Sequence, residues 1–381
     1  MISRARFANF KSLRDVGVDL QRLTLIVGAN AAGKTSILQG LHDLLQTVSA
    51  PRETKRTIER TIGKPFSVFA GAHHPARIGG SAATRAFELE CFGSPFECYG
   101  IRASIEKDAK QRFLAWRGAD AGRRELPYGT PNAKDEVDFF TPLSVAGLGS
   151  VVYLNLDAKT AAQPHYSEEE EARVEWDGYG LPSVLQRLQL LRDGRFDAIE
   201  ASLRKVVPAV QKLRAVPHRV RRPERMRVAV DGSNNWIEQV KERTGSRIEI
   251  EILGGGWIPG DLLSEGTVMT LALLTVLSDR APRTMLLDDL DQSLHPAAQG
   301  RLMGELRSLM DAHPGLQLVA TAHSPFIVDH AAVEEVRVVR LDDSGATRCQ
   351  ALGEHPKWAK RSGFMKPGEF WSGVGEDWVR G

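Results

Sequence analysis

Two short groups of residues in this sequence have the types and spacing needed to bind phosphate and a divalent cation. Residues Gly28 to Thr35 fit the pattern G-x-x-x-x-G-K-[ST]. In such a loop the backbone N–H groups face phosphate oxygens, the lysine reaches the β- and γ-phosphates and the hydroxyl ligates Mg²⁺. The sequence therefore predicts ATP and Mg²⁺ as cofactors. The predicted ATP-binding residues here are Gly28, Asn30, Ala31, Ala32, Gly33, Lys34, Thr35 and Ser36.

Two later apolar segments are each followed by polar side chains that could bind the metal ion or activate water. Asp288 and Asp289 come directly after Thr284-Met285-Leu286-Leu287, and His323 follows Gln317 to Ala322. We expect Asp288 to join Thr35 as a metal-holding residue, because carboxylates bind Mg²⁺. A neutral histidine at a strand end could hydrogen-bond the γ-phosphate or an attacking water. The predicted catalytic residues are Lys34, Asp289 and His323.

A third polar group precedes a helical pattern. Ser264 and Gly266 lie just before Val268, Leu271, Leu274 and Leu277, which recur at helical spacing. Small polar residues at a helix start either cap the helix or bind an anion there. The residues alone leave both interpretations open.

These groups need strands and helices to position them. The run Leu23 to Val27 has the pattern of a buried strand, and apolar residues from Ile37 to Leu45 follow at helical spacing. The phosphate loop is thus predicted between a strand and a helix. Ligands in α/β folds bind at the carboxyl ends of the strands, which is where Asp288 and His323 are expected.

Composition restricts the class of protein only broadly. The chain has 381 residues, 42% hydrophobic and 26% charged, as in ordinary globular proteins. Its formal net charge of +2 argues neither for nor against nucleic acid. The odd number of three cysteines, without a CxxC pair, and the lack of a long apolar run or signal peptide predict a cytoplasmic protein without membrane contact.

The order of the motifs resembles a known family. The order is phosphate loop, Leu263 to Thr267, the Asp288-Asp289 strand and His323-Ser324-Pro325. This looks like the ATP-binding-cassette (ABC) heads of the RecF, SMC and OLD (overcoming-lysogenization-defect) ATPases. The opening Phe10-Lys11-Ser12-Leu13 is similar to that group, and Leu294-His295-Pro296 is especially OLD-like. The implied fold is an α/β P-loop NTPase, an ABC-ATPase head with an antiparallel β-layer and a short inserted helical arm.

The resemblance implies roles for the motifs. Gly28 to Ser36 would be Walker A, Asp288 the Walker B carboxylate and His323 the switch histidine. Ser264 and Gly266 would belong to the signature motif, which completes the ATP site of a second head. We therefore expect a homodimer or higher homo-oligomer with head-to-tail ATP sites. Asp291 to Pro296 would form the D-loop.

Two departures from the family pattern bear on activity. Asp289 stands where the family usually carries a catalytic glutamate, so slow turnover is expected, because small displacements are costly in catalysis. No glutamine suited to a Q-loop occurs in residues 66–80, where we looked for one.

The sequence predicts four segments. Residues 1–156 form the first ATPase lobe with Walker A and antiparallel hairpins over residues 85–117. Residues 157–250 contain a polar linker, a helical arm from Leu181 to about Val207 and a basic segment. Residues 251–340 form the second lobe, and residues 341–381 an aromatic-rich extension. SMC-type proteins insert a long coiled coil in the middle, but this insert is short and lacks sustained heptads.

Basic residues cluster after the predicted arm. A run with few acids could contact the phosphate backbone of double-stranded DNA. It could equally be a solvated strand face neutralised by the acidic loop around Glu168 to Glu171. The candidate nucleic-acid contacts are Lys212, Arg214, Arg219, Arg221, Arg222 and Arg225.

Three functions fit these features. The leading one is an OLD/RecF-like ATPase whose ATP-driven head association gates DNA binding or a separate effector, a nuclease or toxin, in anti-phage defence or DNA repair. No TOPRIM-like acidic cluster follows His323, so we expect any nuclease to be a separate protein. The alternatives are a nucleotide-dependent switch with little turnover and the nucleotide-binding subunit of a transporter. The aromatic tail is expected to dock on its own domain or a partner, or to stack on bases.

Overall fold

The computed structural model describes residues 1–49, 85–105, 111–118, 123–127, 133–169, 171–230 and 233–380. The segment searched for a Q-loop, residues 66–80, lies outside this part. The strands are β1 Ile2–Phe10, β2 Leu13–Asp19, β3 Leu23–Gly28, β4 Arg85–Gly93, β5 Glu97–Ile105, β6 Gln111–Arg117, β7 Arg124–Pro127, β8 Val151–Leu154, β9 Val210–Val230, β10 Ser233–Ile252, β11 Gly256–Pro259, β12 Thr284–Leu287, β13 Gln317–Ala322, β14 Val336–Leu341 and β15 Thr347–Ala351. The helices are α1 Lys34–Ser49, α2 Ala133–Val145, α3 Ala158–Ala162, α4 Leu181–Leu191, α5 Arg195–Val206, α6 Glu265–Asp279, α7 Pro296–Ala312, α8 Pro325–Val328, α9 Trp358–Arg361 and α10 Pro367–Val374.

A six-stranded sheet carries the predicted phosphate loop. Its strand order is β15-β14-β3-β13-β12-β8, and β3 pairs in parallel with both β13 and β14. Strands β3, β12 and β13 are buried at every position, which explains their continuous apolar runs. The parallel pairing of β12 with β13 and of β13 with β3 brings their carboxyl ends to one edge. The α/β fold predicted from the sequence is confirmed.

A second six-stranded sheet is antiparallel and has the order β2-β1-β4-β5-β6-β7. It contains the hairpins predicted over residues 85–117. Helix α1 packs closely against this layer, because a Cβ on Gly40 would lie 2.7 Å from the Phe7 ring. Phe7, Phe10 and the apolar face of α1 share one buried core.

Contacts divide the chain into two compact units. The first unit contains Met1–Tyr153, Pro282–Asp291 and Met310–Gly381, and the second contains Leu154–Ala281 and Gln292–Leu309. The four segments predicted from the sequence are distributed over these two units. No helix in the described part of the chain is long and apolar enough to cross a membrane.

The second unit contains the predicted helical arm and also a long hairpin. Helices α4 and α5 fall within the predicted helical segment and, like α6, contribute buried apolar residues. The hairpin pairs β9 of 21 residues with β10 of 20 residues in antiparallel register from Val210↔Ile252 to Val230↔Ser233. The basic run therefore belongs to a strand. The predicted arm is helical, and the basic segment after it forms the hairpin, in agreement with the strand-face interpretation that the sequence left open.

The aromatic tail docks on its own unit. Phe370 and Trp371 are buried, and the His355 ring packs edge-on against Phe370 and Trp378. Two backbone N–H groups at the start of α10 donate to the Asp329 carboxylate over 2.9 and 3.0 Å. Of the interpretations open from the sequence, self-docking describes these rings. Phe364 is the exception, since it is 90% exposed.

Candidate nucleotide site

The phosphate loop has a backbone that only its glycines permit. Gly28 has φ +149° and Gly33 has φ +103°. A Cβ on Gly28 would lie 2.1 Å from the Val339 carbonyl oxygen, and one on Gly33 would lie 2.2 Å from the Thr347 hydroxyl. Such distances exclude any side chain. The loop therefore curls tightly between β3 and α1, as a loop that turns its N–H groups to an anion must do.

Lys34 lies on the concave side of this loop. Its ammonium donates to the carbonyl oxygens of Gly28 and Ala29, each over 2.9 Å, and the residue is only 6% exposed. Burial lowers the pKa of Lys34, while Asp289 and Asp288 oppose that shift. A cation held at the mouth of such a loop is placed to meet phosphate oxygens.

Three hydroxyl groups surround the Asp288 carboxylate. Thr321 Oγ1 donates to Asp288 Oδ1 over 2.6 Å, and Thr35 Oγ1 approaches the same oxygen at 3.3 Å. The Tyr153 hydroxyl donates to Asp288 Oδ2 over 3.3 Å. Asp288 is buried, so these bonds compensate for the loss of water around its charge. The structure thus brings Thr35 and Asp288 together, as predicted.

Asp289 and His323 form an adjacent pair. Asp289 Oδ1 lies 3.6 Å from His323 Nε2, and the backbone N–H of Asp289 donates to Thr321 Oγ1 over 2.8 Å. The backbone N–H of His323 donates to both oxygens of Asp291 at 3.1 Å. Asp289 has φ +53°, an uncommon backbone conformation for a residue other than glycine. These contacts fix the strand ends on which both side chains stand.

The electrostatics around Asp289 favour a proton acceptor. Burial, followed by the neighbouring Asp288, raises the pKa of Asp289, and His323 opposes the shift. A carboxylate with a raised pKa accepts a proton more readily, which suits general-base chemistry. The exposed fractions of the two side chains, 42% for Asp289 and 40% for His323, leave both accessible.

The oxygen ligands of this site fit magnesium. Mg²⁺ prefers hard oxygen ligands and is usually held by one or two carboxylates together with substrate phosphates. Thr35 Oγ1 and the Asp288 carboxylate supply such oxygens beside the phosphate loop. Those two residues would hold the ion.

The predicted signature residues belong to the second unit. Ser264 is the N-cap residue of α6, but its hydroxyl lies 2.8 Å from Thr267 Oγ1 and makes no hydrogen bond to the helix backbone. A Cβ on Gly266 would lie 2.5 Å from the Ser293 carbonyl oxygen. Ser293 in turn donates to Glu265 over 2.9 Å. Ser264 is exposed, which leaves the helix N-terminus open to an anion.

The basic run is paired with glutamates of the opposite strand. Arg214 contacts Glu249, and Arg221 lies 2.8 Å from Glu242. Two wider pairs, Lys212 with Glu251 and Arg219 with Glu242, measure 3.8 Å. The side chains of Arg222 and Arg225 lie outside the described part, although β9 places them opposite Lys241 and Glu238. Lys212, Arg214, Arg219 and Arg221 are thus paired with glutamates of β10 and not with the described residues of the acidic loop around Glu168 to Glu171.

Sequence reasoning missed several residues that shape the site. No role was predicted for Tyr153 from the sequence, and Thr321 was placed only within the apolar segment that precedes His323. Thr347 lies far along the chain, yet its hydroxyl is within 3.0 Å of the Ala32 carbonyl oxygen and 2.8 Å of Ser12 Oγ. No local pattern marks these positions, because their role arises from strand pairing.

Comparisons with protein families agree with this geometry. Residues 1–84 match the model described as "AAA ATPase domain", and residues 155–329 match "AAA domain, putative AbiEii toxin, Type IV TA system". The search of curated proteins found no match.

Solved structures with the same fold are SMC heads. A structure of the SMC head bound to the C-terminal winged-helix domain of ScpA has 17% identity and a TM-score of 0.56, covering 94% of this chain and 99% of that chain. The SMC head of Pyrococcus furiosus with an extended coiled coil, bound to the C-terminal domain of ScpA, has 14% identity and a TM-score of 0.53. That match covers 95% of this chain and 99% of the other.

Two stretches of the chain thus match ATPase-domain models, one of which is described as a putative AbiEii toxin, and the fold is similar to that of SMC heads. The resemblance predicted from the motifs is confirmed.

Proposed function

We propose that this chain binds ATP with Mg²⁺ at the site between β3, β12 and β13 and hydrolyses it slowly. One observation supports this most directly. Lys34, Thr35, Asp288, Asp289 and His323 come from three separate stretches of sequence and lie at one edge of the sheet.

Each residue has a task in the proposed reaction. The loop N–H groups and Lys34 bind the phosphates, and Lys34 offsets charge that develops on the leaving oxygens. Bound Mg²⁺ would neutralise charge on the phosphate oxygens. Asp289 accepts a proton from the attacking water, and His323 hydrogen-bonds that water or the γ-phosphate. The contact of His323 with Asp289 aligns the two groups.

We further propose that ATP joins two copies of the chain head to tail. The N-terminus of α6, exposed at Ser264 and buried at Gly266, has the character of an anion site. In this arrangement it would contact the nucleotide held by a second copy. Association would then expose or hide a surface for a separate effector, a nuclease or toxin in defence or repair. Two matches support such a partner: the family model over residues 155–329 is described as a putative AbiEii toxin, and the matched SMC heads are bound to domains of ScpA.

A DNA contact on the β9–β10 hairpin is part of this proposal. The strands from Val210 to Ile252 carry more basic than acidic residues, even after cross-strand pairing. Arg219 and Arg221 keep 85% and 77% of their side-chain surface exposed, so they remain available to phosphates.

The deciding experiment is steady-state ATP hydrolysis by the wild type and Lys34→Ala, with and without double-stranded DNA. We expect hydrolysis that depends on Lys34, accompanied by ATP-dependent dimerisation in light scattering. Stimulation by DNA that is lost in Arg219→Ala/Arg221→Ala would support the hairpin contact. Hydrolysis that survives Lys34→Ala would contradict the proposed site, and an association state that ignores ATP would contradict the head pairing.

Asp289 favours a second candidate, a nucleotide-dependent switch with little turnover. Its carboxylate is one methylene shorter than the glutamate usual in this group. If shortness limits the rate, Asp289→Glu raises hydrolysis about 10-fold, because small changes in position have large effects on rate. Unchanged turnover in Asp289→Glu would count against the switch.

A further inference from the structure

Tyr153 is the residue at the metal site for which the motifs give no role. It stands on β8, the edge strand beside β12, and is the last residue of the first unit before the chain enters the second. Its hydroxyl lies 3.3 Å from Asp288 Oδ2, the oxygen that neither threonine contacts. The two carboxylate oxygens of Asp288 are thereby held from opposite sides.

The Tyr153 hydroxyl donates its proton to Asp288, because an ionised carboxylate only accepts hydrogen bonds. Lys11 Nζ, in the turn between β1 and β2, donates to Gln39 Oε1 on α1. The Gln39 side-chain amide is the second polar partner of the Tyr153 hydroxyl.

We propose that Tyr153 is a positioning residue for magnesium binding. By holding Asp288 Oδ2, it keeps Asp288 Oδ1 beside Thr35 Oγ1, and these two oxygens would hold the ion. The proposal rests on the ATPase function proposed above. Tyr153 acts through Asp288, so we expect its loss to affect the metal-dependent part of nucleotide binding.

Outer partners of metal-binding residues are known to matter. Their removal typically costs about 10- to 100-fold in metal affinity or activity. The ring of Tyr153 also lies 5.4 Å from the ring of His42 on α1, so phenylalanine would keep the packing and lose only the hydroxyl. Tyr153→Phe is therefore the informative substitution.

The experiment measures affinity for a non-hydrolysable ATP analogue by calorimetry, in excess EDTA and in increasing Mg²⁺. For Tyr153→Phe we expect wild-type affinity in EDTA and an Mg²⁺ requirement raised about 10-fold. Tyr99→Phe is the matched control, because Tyr99 is another tyrosine of the first unit and its hydroxyl is bonded to a threonine, Thr47. The control is expected to keep the wild-type Mg²⁺ requirement.

The outcomes separate this inference from the ATPase proposal. An unchanged Mg²⁺ requirement in Tyr153→Phe, or an equal shift in Tyr99→Phe, would overturn the role of Tyr153 while Lys34-dependent binding still supports the nucleotide site. Wild-type protein that binds the analogue equally well without Mg²⁺ would overturn the metal site itself, and the role of Tyr153 with it.

Discussion

Backbone hydrogen bonds fix the position of Asp289. Its backbone N–H is bonded to Thr321 Oγ1, whose own proton is directed to Asp288 Oδ1. One threonine hydroxyl therefore sets the relative position of the proposed metal carboxylate and the proposed base. The positive φ of Asp289 is stabilised by this bond and by the neighbouring bond from Leu290 N–H to the Thr321 carbonyl oxygen.

The substitution Asp289→Asn tests whether Asp289 is the general base. The amide cannot accept the proton of water, so turnover is expected to fall at least about 100-fold while ATP affinity stays near that of the wild type. Single-turnover hydrolysis and equilibrium binding measure the two quantities. Asp311→Asn, which changes an exposed carboxylate of the same unit, is the control. Turnover that persists in Asp289→Asn would show that another group accepts the proton.

At the scale of elements, the phosphate loop is supported by a strand far along the chain. Strand β15 places Thr347 under the loop, where its hydroxyl contacts Ser12 and the Ala32 carbonyl oxygen and its N–H donates to the Ser12 carbonyl oxygen. Thr347 is fully buried. The absence of a side chain at Gly33 is what allows this close approach.

Thr347→Val removes the hydroxyl and keeps the shape. It leaves the Ser12 hydroxyl and the buried Ala32 carbonyl oxygen without that partner, so the free energy of unfolding is expected to fall by about 1–3 kcal/mol. Nucleotide affinity should weaken as the loop loosens. Urea unfolding and analogue binding measure these effects, with Thr347→Ser as the variant that retains the bond. Equal stability of the two variants would mean that the hydroxyl does not support the loop.

The contrast between Lys34 and Thr347 shows what the sequence could predict. The strand, loop and helix around Lys34 are contiguous, so periodicity and glycine placement predicted them, and the acid-ended strand and the histidine strand followed from similar local patterns. Tyr153, Gln39 and Thr347 reach the site through pairing of distant strands and packing of α1, which no local pattern encodes. The β9–β10 hairpin was not predicted for a different reason: the many basic residues of β9 hide the alternation of apolar and polar residues that indicates a strand.

At the scale of the whole molecule, the chain crosses repeatedly between its units. It leaves the first unit after Tyr153, returns at Pro282, leaves again after Asp291 and returns at Met310. Two of these crossings directly follow residues of the metal site, Tyr153 and the Asp288–Asp291 segment. A proposed signature helix in one unit and a proposed Walker pair in the other are thus connected by short stretches of chain.

Mixing two inactive variants tests the head-to-tail arrangement. Lys34→Ala removes the phosphate-binding cation, and Ser264→Glu places a carboxylate at the N-terminus of α6. That carboxylate suits the helix dipole but repels phosphate. Random mixing of equal amounts should restore about one quarter of the wild-type activity, because half of the dimers then contain one intact composite site. Measured hydrolysis that stays at the level of the separate variants would exclude sites shared between copies.

The pairing of β3 with β13 and β14 has a consequence for how the molecule is made. Leu23 pairs with Leu318 and Leu25 with Val336, whereas the β9–β10 hairpin pairs neighbours in sequence. Local pairings form early and distant ones late, because loop closure opposes the latter. During synthesis the phosphate loop emerges long before β13 and β14, the two strands that pair with β3. Until they arrive, β3 is an exposed apolar segment prone to aggregation, and the nascent chain is unable to use ATP as a folding ligand.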